Sequence, residues 1–469
     1  MKGVVFAGLT PHPPVLVPEV GTEEIKFIEN TKRSMESLAK EVKEVDPDLI
    51  ITISPHGQVF SDAVGILSAK ELKGDFSNFG RGDIELSYNL HEEFTKELAI
   101  AANSQGITVA RVDKSTADNL NLQMKLDYGV LVPMYYLEKE EIRKPIVPIT
   151  IGMLSYEDLY KLGKIIQLIG ENKGYKVAVI ASGDLSHRLK EGTPGGFDPK
   201  GEVFDKKVVD LLDNLQAEGF FDLDSSLIEK AGECGLRSIM IMLGALDRLE
   251  VEGGVLSYEG PFGVGYAVAC YKVLKKKNKK GLLDLIAKKK KEQIRKAREN
   301  ESEAVRLARK AVEEYLKNKE FIDPPAKVDP KLAQRGGTFV SIKKDGVLRG
   351  CIGSIQPTTA NRANEIIKNA LEAAFKDPRF KPVNLNELEN LVYTVDVLGE
   401  VKEVDDLSKL DPKEDGILVE KDGKRGILLP NLAGVDSVSK QLEIAKRKAG
   451  IPSAEDDIKV LSFKVDRYE

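Results

Sequence analysis

Val177-Ala178-Val179-Ile180-Ala181-Ser182-Gly183-Asp184-Leu185-Ser186-His187 begins as an apolar run and ends, after small and polar residues, in an imidazole. The run predicts a strand buried on both faces, and the Gly-Asp step predicts the loop that follows it. Two earlier stretches repeat the setting: Val4-Val5-Phe6-Ala7 leads to His12, and Leu49-Ile50-Ile51-Thr52-Ile53 leads to His56, each imidazole directly preceded by proline. Between them lie helical patterns, Ile25 to Val42 ending before Asp46-Pro47-Asp48, and Leu159 to Ile169 preceding the strand from Lys176. This is the α/β rhythm, and it continues to about residue 273, closing on a Gly-rich strand from Gly260 to Cys270. In an α/β sheet, ligands collect in the loops beyond the strands' carboxyl ends, so three distant imidazoles are expected on one rim.

At 469 residues the chain exceeds one ordinary core, and two domains are expected. A net charge of -5 gives no reason to expect nucleic acid or an anionic membrane as partner. The apolar start reaches proline at Pro11, too soon for a signal peptide, and no run approaches a membrane span, so a cytoplasmic protein is expected. Cys234, Cys270 and Cys351 are too scattered for a disulfide framework or a Cys-x-x-Cys knuckle.

Composition breaks at Lys275-Lys276-Lys277-Asn278-Lys279-Lys280 and again at Lys288 to Lys291, which reads as a charged linker or solvated helix over residues 274–297. A second, α+β unit is expected over 298–469. Ala304, Val305, Ala308, Ala311, Val312 and Tyr315 share one face of a helix. A hairpin follows, Thr338 to Lys343 and Val347 to Ile352 about an Asp345-Gly346 turn. Thr359 is the expected cap of a helix reaching Phe375, and a strand from Leu391 to Leu398 and the run Gly426 to Pro430 complete the unit. No histidine lies beyond His187, so imidazole chemistry belongs to the first unit.

Two histidines and one further ligand on one face make a metal site with open positions, suited to Fe(II), Zn or Cu. The third ligand is sought in Ala231-Gly232-Glu233-Cys234-Gly235: Glu233 completes a non-haem iron face, whereas Cys234 makes a softer site favouring copper or zinc. Asp184 either orients His187 or forms an Asx turn. His91 opens a helix and is read as structural, Cys270 as core, and Gly263-Val264-Gly265 lacks the spacing of a dinucleotide loop. In the second unit only Leu348-Arg349-Gly350-Cys351-Ile352-Gly353 offers chemistry, with Arg349 placed to lower the thiol pKa; the plainer reading is a packed strand cysteine.

Residues 1 to 273 resemble the class III extradiol ring-cleaving dioxygenases and the related Memo-like proteins. The resemblance rests on Leu9-Thr10-Pro11-His12-Pro13-Pro14, Ser54-Pro55-His56-Gly57, Gly183-Asp184-Leu185-Ser186-His187 and Glu233-Cys234-Gly235. It implies a layered α/β/α domain in which His12 and His56 ligate Fe(II) and His187 acts as acid and base on a phenolic substrate. A cysteine followed by glycine, as in Cys234-Gly235, is the Memo-like third ligand. Where the dioxygenases carry Asp-His-Gly before a Val-Pro strand, this chain reads Asp127-Tyr128-Gly129 before Val132-Pro133, and a tyrosine is a poor proton shuttle at neutral pH. Residues 298 to 469 resemble the AMMECR family through Leu348-Arg349-Gly350-Cys351-Ile352-Gly353, Phe339-Val340-Ser341 and Gly426-Ile427-Leu428-Leu429-Pro430. The pairing implies a radical SAM protein as pathway partner, beside a small-molecule substrate.

Overall fold

A computed structural model describes residues 2–344, 346–432 and 434–469, so Asp345 of the expected hairpin turn lies outside the described residues. The chain divides into two units, 1–286 and 287–469. The Lys288 to Lys291 run sits inside a helix, Leu282–Glu299.

Among the described residues the first unit has ten strands: β1 (Gly3–Thr10), β2 (Leu49–Ser54), β3 (Val64–Leu67), β4 (Glu71–Phe76), β5 (Arg81–Asn89), β6 (Val109–Val112), β7 (Ile146–Thr150), β8 (Lys176–Ser182), β9 (Leu249–Glu259) and β10 (Tyr266–Lys276). Eight form one sheet in the order β6-β3-β7-β2-β8-β1-β10-β9, and β4 with β5 makes a separate hairpin. The strands β7, β2, β8 and β1 run parallel side by side, with Ile53 paired to Ala181 and Leu9 to Ala181. The three histidine-bearing strands are therefore neighbours, and their carboxyl ends share one edge.

Alternate strand residues feed two cores, as a period of two requires. Ile51, Val177 and Val179 pack with the helices Tyr156–Lys173 and Leu236–Ala245, whereas Ile50, Ala178 and Ile180 pack with the helix Glu29–Val45. The result is the α/β/α layering. Ser155 caps the helix Tyr156–Lys173 by accepting the Asp158 N–H, and Gly174, at φ 76°, ends it in the left-handed region that favours glycine.

Several elements differ from the sequence reading. The helix expected from Ile25 starts at Glu29, after a 3-10 turn over Glu24–Ile28. Gly260 to Gly265 form a turn, not strand, and β10 begins at Tyr266. Val132-Pro133, expected as strand, lies in the helix Tyr128–Lys139; the Asp127 side chain accepts the Gly129 N–H and starts the helix ahead of the apolar run.

The second unit adds β11 (Thr338–Lys344), β12 (Val347–Ser354), β13 (Leu391–Leu398), β14 (Lys402–Glu403), β15 (Gly416–Lys421), β16 (Lys424–Leu428), β17 (Lys459–Phe463) and β18 (Val465–Tyr468). They form two four-stranded sheets, β12-β11-β13-β18 and β14-β17-β15-β16. The helices Glu303–Asn318 and Arg362–Phe375 cover the first sheet, and Val438–Ala449 covers the second. Asn361, not Thr359, caps the helix that reaches Phe375, because Thr359 is held instead by the buried carboxylate of Glu365. Among the described residues no helix is long and apolar enough to cross a membrane.

Candidate metal centre

His12 follows β1, His56 follows β2, and Cys234 lies just ahead of the helix Leu236–Ala245. Their ligand atoms fall within 4.8 Å of one another. His12 Nε2 stands 2.9 Å from His56 Nε2 and 3.6 Å from Cys234 Sγ. His12 is 1% exposed, and its Nδ1 is engaged by Ser182 Oγ at 2.9 Å, which leaves Nε2 to face the cluster. The His56 backbone N–H donates to Ser54 Oγ at 3.1 Å, and Ser54 in turn donates to Asp127.

Asp184 and His187, from the loop after β8, form a second group with the same Cys234 sulfur. Asp184 accepts the His12 backbone N–H at 3.1 Å and donates its own N–H to Cys234 Sγ at 3.3 Å, while its carbonyl accepts the N–H groups of Cys234 and Gly235. It thereby ties the three loops together. Close approach is built in: a Cβ at Gly183 would fall 2.2 Å from the Cα of Gly235. His187 Nε2 is buried without a hydrogen-bond partner among the described residues. Glu233 belongs to neither group; its carboxylate accepts the Leu236 N–H at 2.6 Å, at the start of the helix.

Tyr128 stacks on His56, ring centroids 4.5 Å apart and 25° between planes, and meets Phe79 edge-on. His56, Tyr128, Phe79, Gln58, Asp75 and Lys125 are among the residues lining a cavity of about 550 Å³, so the cluster opens on its His56 side.

Burial dominates the electrostatics. It pushes His12 and His56 down to about 3, with neighbouring imidazoles adding to the effect, and pushes the Cys234 thiol up. Burial also raises Asp184 to about 7, Glu233 to about 6 and Tyr128 to about 12. The donor set fits a transition metal: both imidazoles are neutral, and bonds of ~2.0–2.3 Å give ligand–ligand edges of roughly 2.9–3.7 Å. A cation among them would draw off the thiol proton that burial otherwise retains.

Sequence reading missed the bracing residues. Ser54 lies two residues before His56, but a serine that close to an imidazole carries no distinguishing pattern, and Ser182 reaches His12 from the end of β8, 170 residues away in sequence. Asp205 gave no signal at all: from mid-helix it accepts the Ser186 N–H at 2.7 Å and the Tyr258 O–H at 2.6 Å, fixing the His187 loop. His91 caps its helix, accepting the Phe94 N–H, and Cys270 is buried in the sheet. Arg349 is not the thiol's partner, because Glu387 takes its guanidinium through two bonds of 3.0 Å.

Residues 7–269 match the family described as the catalytic LigB subunit of aromatic ring-opening dioxygenase, and residues 305–469 match AMMECR1. A protein of Clostridium acetobutylicum is 39% identical over 98% of both chains. A Thermotoga maritima protein is 47% identical, covering 35% of this chain and 96% of its own. A solved structure of an uncharacterized protein from Pyrococcus horikoshii is 36% identical, with a TM-score of 0.33, covering 35% of this chain and 88% of that one.

Proposed function

The chain belongs to the family of the catalytic LigB subunit of aromatic ring-opening dioxygenases, with an AMMECR1 unit following, and from that premise we propose a metal-dependent oxidoreductase of extradiol type. The substrate is a small phenolic or otherwise metal-chelating molecule, with oxygen as co-substrate. The observation that carries the reading is the cluster of His12, His56 and Cys234 at the ends of adjacent strands, open on one side to a cavity. These three residues hold the metal, with Fe(II) the expected ion and Zn or Cu the alternatives. When bound, the ion supplies Lewis acidity and exchangeable coordination positions.

The chain's own residues do the rest. Ser182 orients the His12 imidazole through its Nδ1, and Ser54 holds the His56 backbone while Tyr128 stacks on the His56 ring, so little reorganisation is needed when a ligand arrives. His187, with a buried and unpartnered Nε2, is the group that takes and returns the substrate's hydroxyl proton. Asp184, raised to about 7, lies against it and holds a proton near neutrality. Tyr128, raised to about 12, stays protonated and donates a hydrogen bond at the mouth of the cavity without accepting a proton.

That last property favours a second reading, a metal-binding or scaffold module that has lost ring cleavage. A radical SAM protein is the proposed partner in either case, suggested by the fusion of the two family units in one chain. Metal analysis after oxygen-free purification tests the centre: about one transition metal per chain is expected, lost in His12→Ala, His56→Ala and Cys234→Ala. Absence of metal from the parent protein sinks both readings. Oxygen uptake with a catechol panel separates them, since activity appearing only in Tyr128→His identifies the altered module.

A further inference from the structure

The strand β18 pairs with β13 only over Val395–Leu398, so residues 391–394 of β13 have β11 on one side and no strand on the other. A cavity of about 240 Å³ opens along that stretch. All its lining residues belong to the second unit. Its walls are largely apolar, with Ile294 and Ala297 from the helix Leu282–Glu299, Val305 from the helix Glu303–Asn318, and Leu391.

Two lining residues bring buried donors that nothing in the fold satisfies. Tyr393 is 3% exposed and shares the unit's core with Val305 and Ala308, yet its hydroxyl has no hydrogen-bond partner among the described residues. Burial raises its pKa, so the phenol keeps its proton and is a donor. Arg298 gives Nη2 to the Leu388 carbonyl at 2.6 Å, while its Nε is buried and has no partner among the described residues. Buried donors are normally paired, so two of them on one cavity call for an acceptor inside it. The charges favour an anion. Arg309 donates to Glu301 at 2.9 Å and to Glu313 at 3.2 Å, which engages both carboxylates, and Arg298 reaches Glu313 only at 3.8 Å. On the wall, Glu469 is then the one carboxylate left to set against Arg298 and the exposed Lys343.

We infer that this cavity binds a small carboxylic acid with an apolar body, its carboxylate accepting from the Tyr393 hydroxyl and Arg298 Nε and its carbon chain lying against Ile294, Ala297, Val305 and Leu391. Hydrogen bonds from a guanidinium to a carboxylate are charge-assisted and are the stronger kind. The volume equals that of roughly eight liquid waters, the bulk of a short-chain acid. Apolar walls with a few placed donors are the usual make-up of a small-molecule site. The site uses none of the residues of the metal centre and stands independently of the reading given to that centre.

Hexanoate is the probe, titrated into the full chain at pH 7 with isoleucine, leucine and valine methyls labelled for NMR; hexylamine and 1-hexanol are the controls. The methyl signals of Ile294, Val305 and Leu391 are expected to shift saturably with hexanoate, at least about tenfold more weakly with hexanol, and not with hexylamine. Tyr393→Phe removes a single oxygen whose donor is unmet, so the variant should fold with stability at or above that of the parent while its hexanoate affinity falls at least about tenfold. Arg298→Lys keeps the charge but removes Nε, and should weaken hexanoate to a similar degree. The inference is overturned by the absence of a saturable shift, which would leave an ordered water as the only acceptor, by equal shifts with hexylamine, or by an affinity that both variants leave unchanged.

Discussion

Neighbours in a chain point to different places, and at residues 233 and 234 that divergence decides the third ligand. The Cys234 sulfur faces His12, whereas the Glu233 carboxylate turns to the Leu236 N–H. Glu233→Ala is therefore expected to keep its metal and to lose roughly 0.5–2 kcal/mol of stability, the usual cost of an N-terminal helix cap. Cys234→Ala shows the reverse, and metal analysis with chemical denaturation reads both. Asp205 makes a pH prediction. Burial raises its pKa to about 6, so the folded state holds a proton that the unfolded chain has released. Its stabilising contribution is fully present below the unfolded value near ~3.9 and is lost as pH rises through about 6, amounting to about 3 kcal/mol at most. Asp205→Asn keeps the polar contacts without the charge. Subtracting its stability curve from that of the parent should leave a fall confined to that window, and a flat difference would refute the assignment. Neither prediction was available from sequence, because a carboxylate's pKa depends on what surrounds it.

The elements that bear the site are held by backbone contact. Gly163 and Gly244 let the helices Tyr156–Lys173 and Leu236–Ala245 touch: a Cβ at Gly163 would fall 2.0 Å from the Ile241 oxygen, and one at Gly244 would fall 2.0 Å from the Tyr160 oxygen. Gly244→Ala must push the second helix outward, and since Cys234 immediately precedes that helix, the substitution should weaken metal binding as well as stability. A cost of about 1–3 kcal/mol is typical of overpacking. Calorimetry together with a metal competition titration checks it; lost stability with unchanged metal affinity would uncouple helix position from the site. Most of these elements were legible, since β1, β2 and β8 are uninterrupted apolar runs and the helix Glu303–Asn318 has one apolar face. The helix at Tyr128 was not: Val132-Pro133 looks extended, but Asp127 supplies a cap and every residue from Gly129 to Leu137 is buried, which removes the amphipathic period.

Each unit of the molecule has cores of its own. Residues up to 286 close around the two faces of the large sheet, and those beyond close around Val340, Val395, Ile366 and their neighbours, with a separate cluster over the second sheet. Val395→Asp puts a charge into a fully buried position and should abolish the unfolding transition of the second unit. The metal content of the first unit is expected to stay unchanged; a parallel loss of metal would show that the first unit needs the second to fold.

The sequence by itself determined the α/β character of the first unit, the three post-strand histidines and the candidate ligands, because strand burial and loop position leave a local pattern of residue types. Tertiary structure alone decided that β2, β8 and β1 are adjacent, that Cys234 and not Glu233 joins the histidines, and that Glu387 removes Arg349 from the thiol. Those outcomes depend on which strands pair and which way each side chain turns, and contacts between residues far apart in the chain are set by packing, not by local pattern.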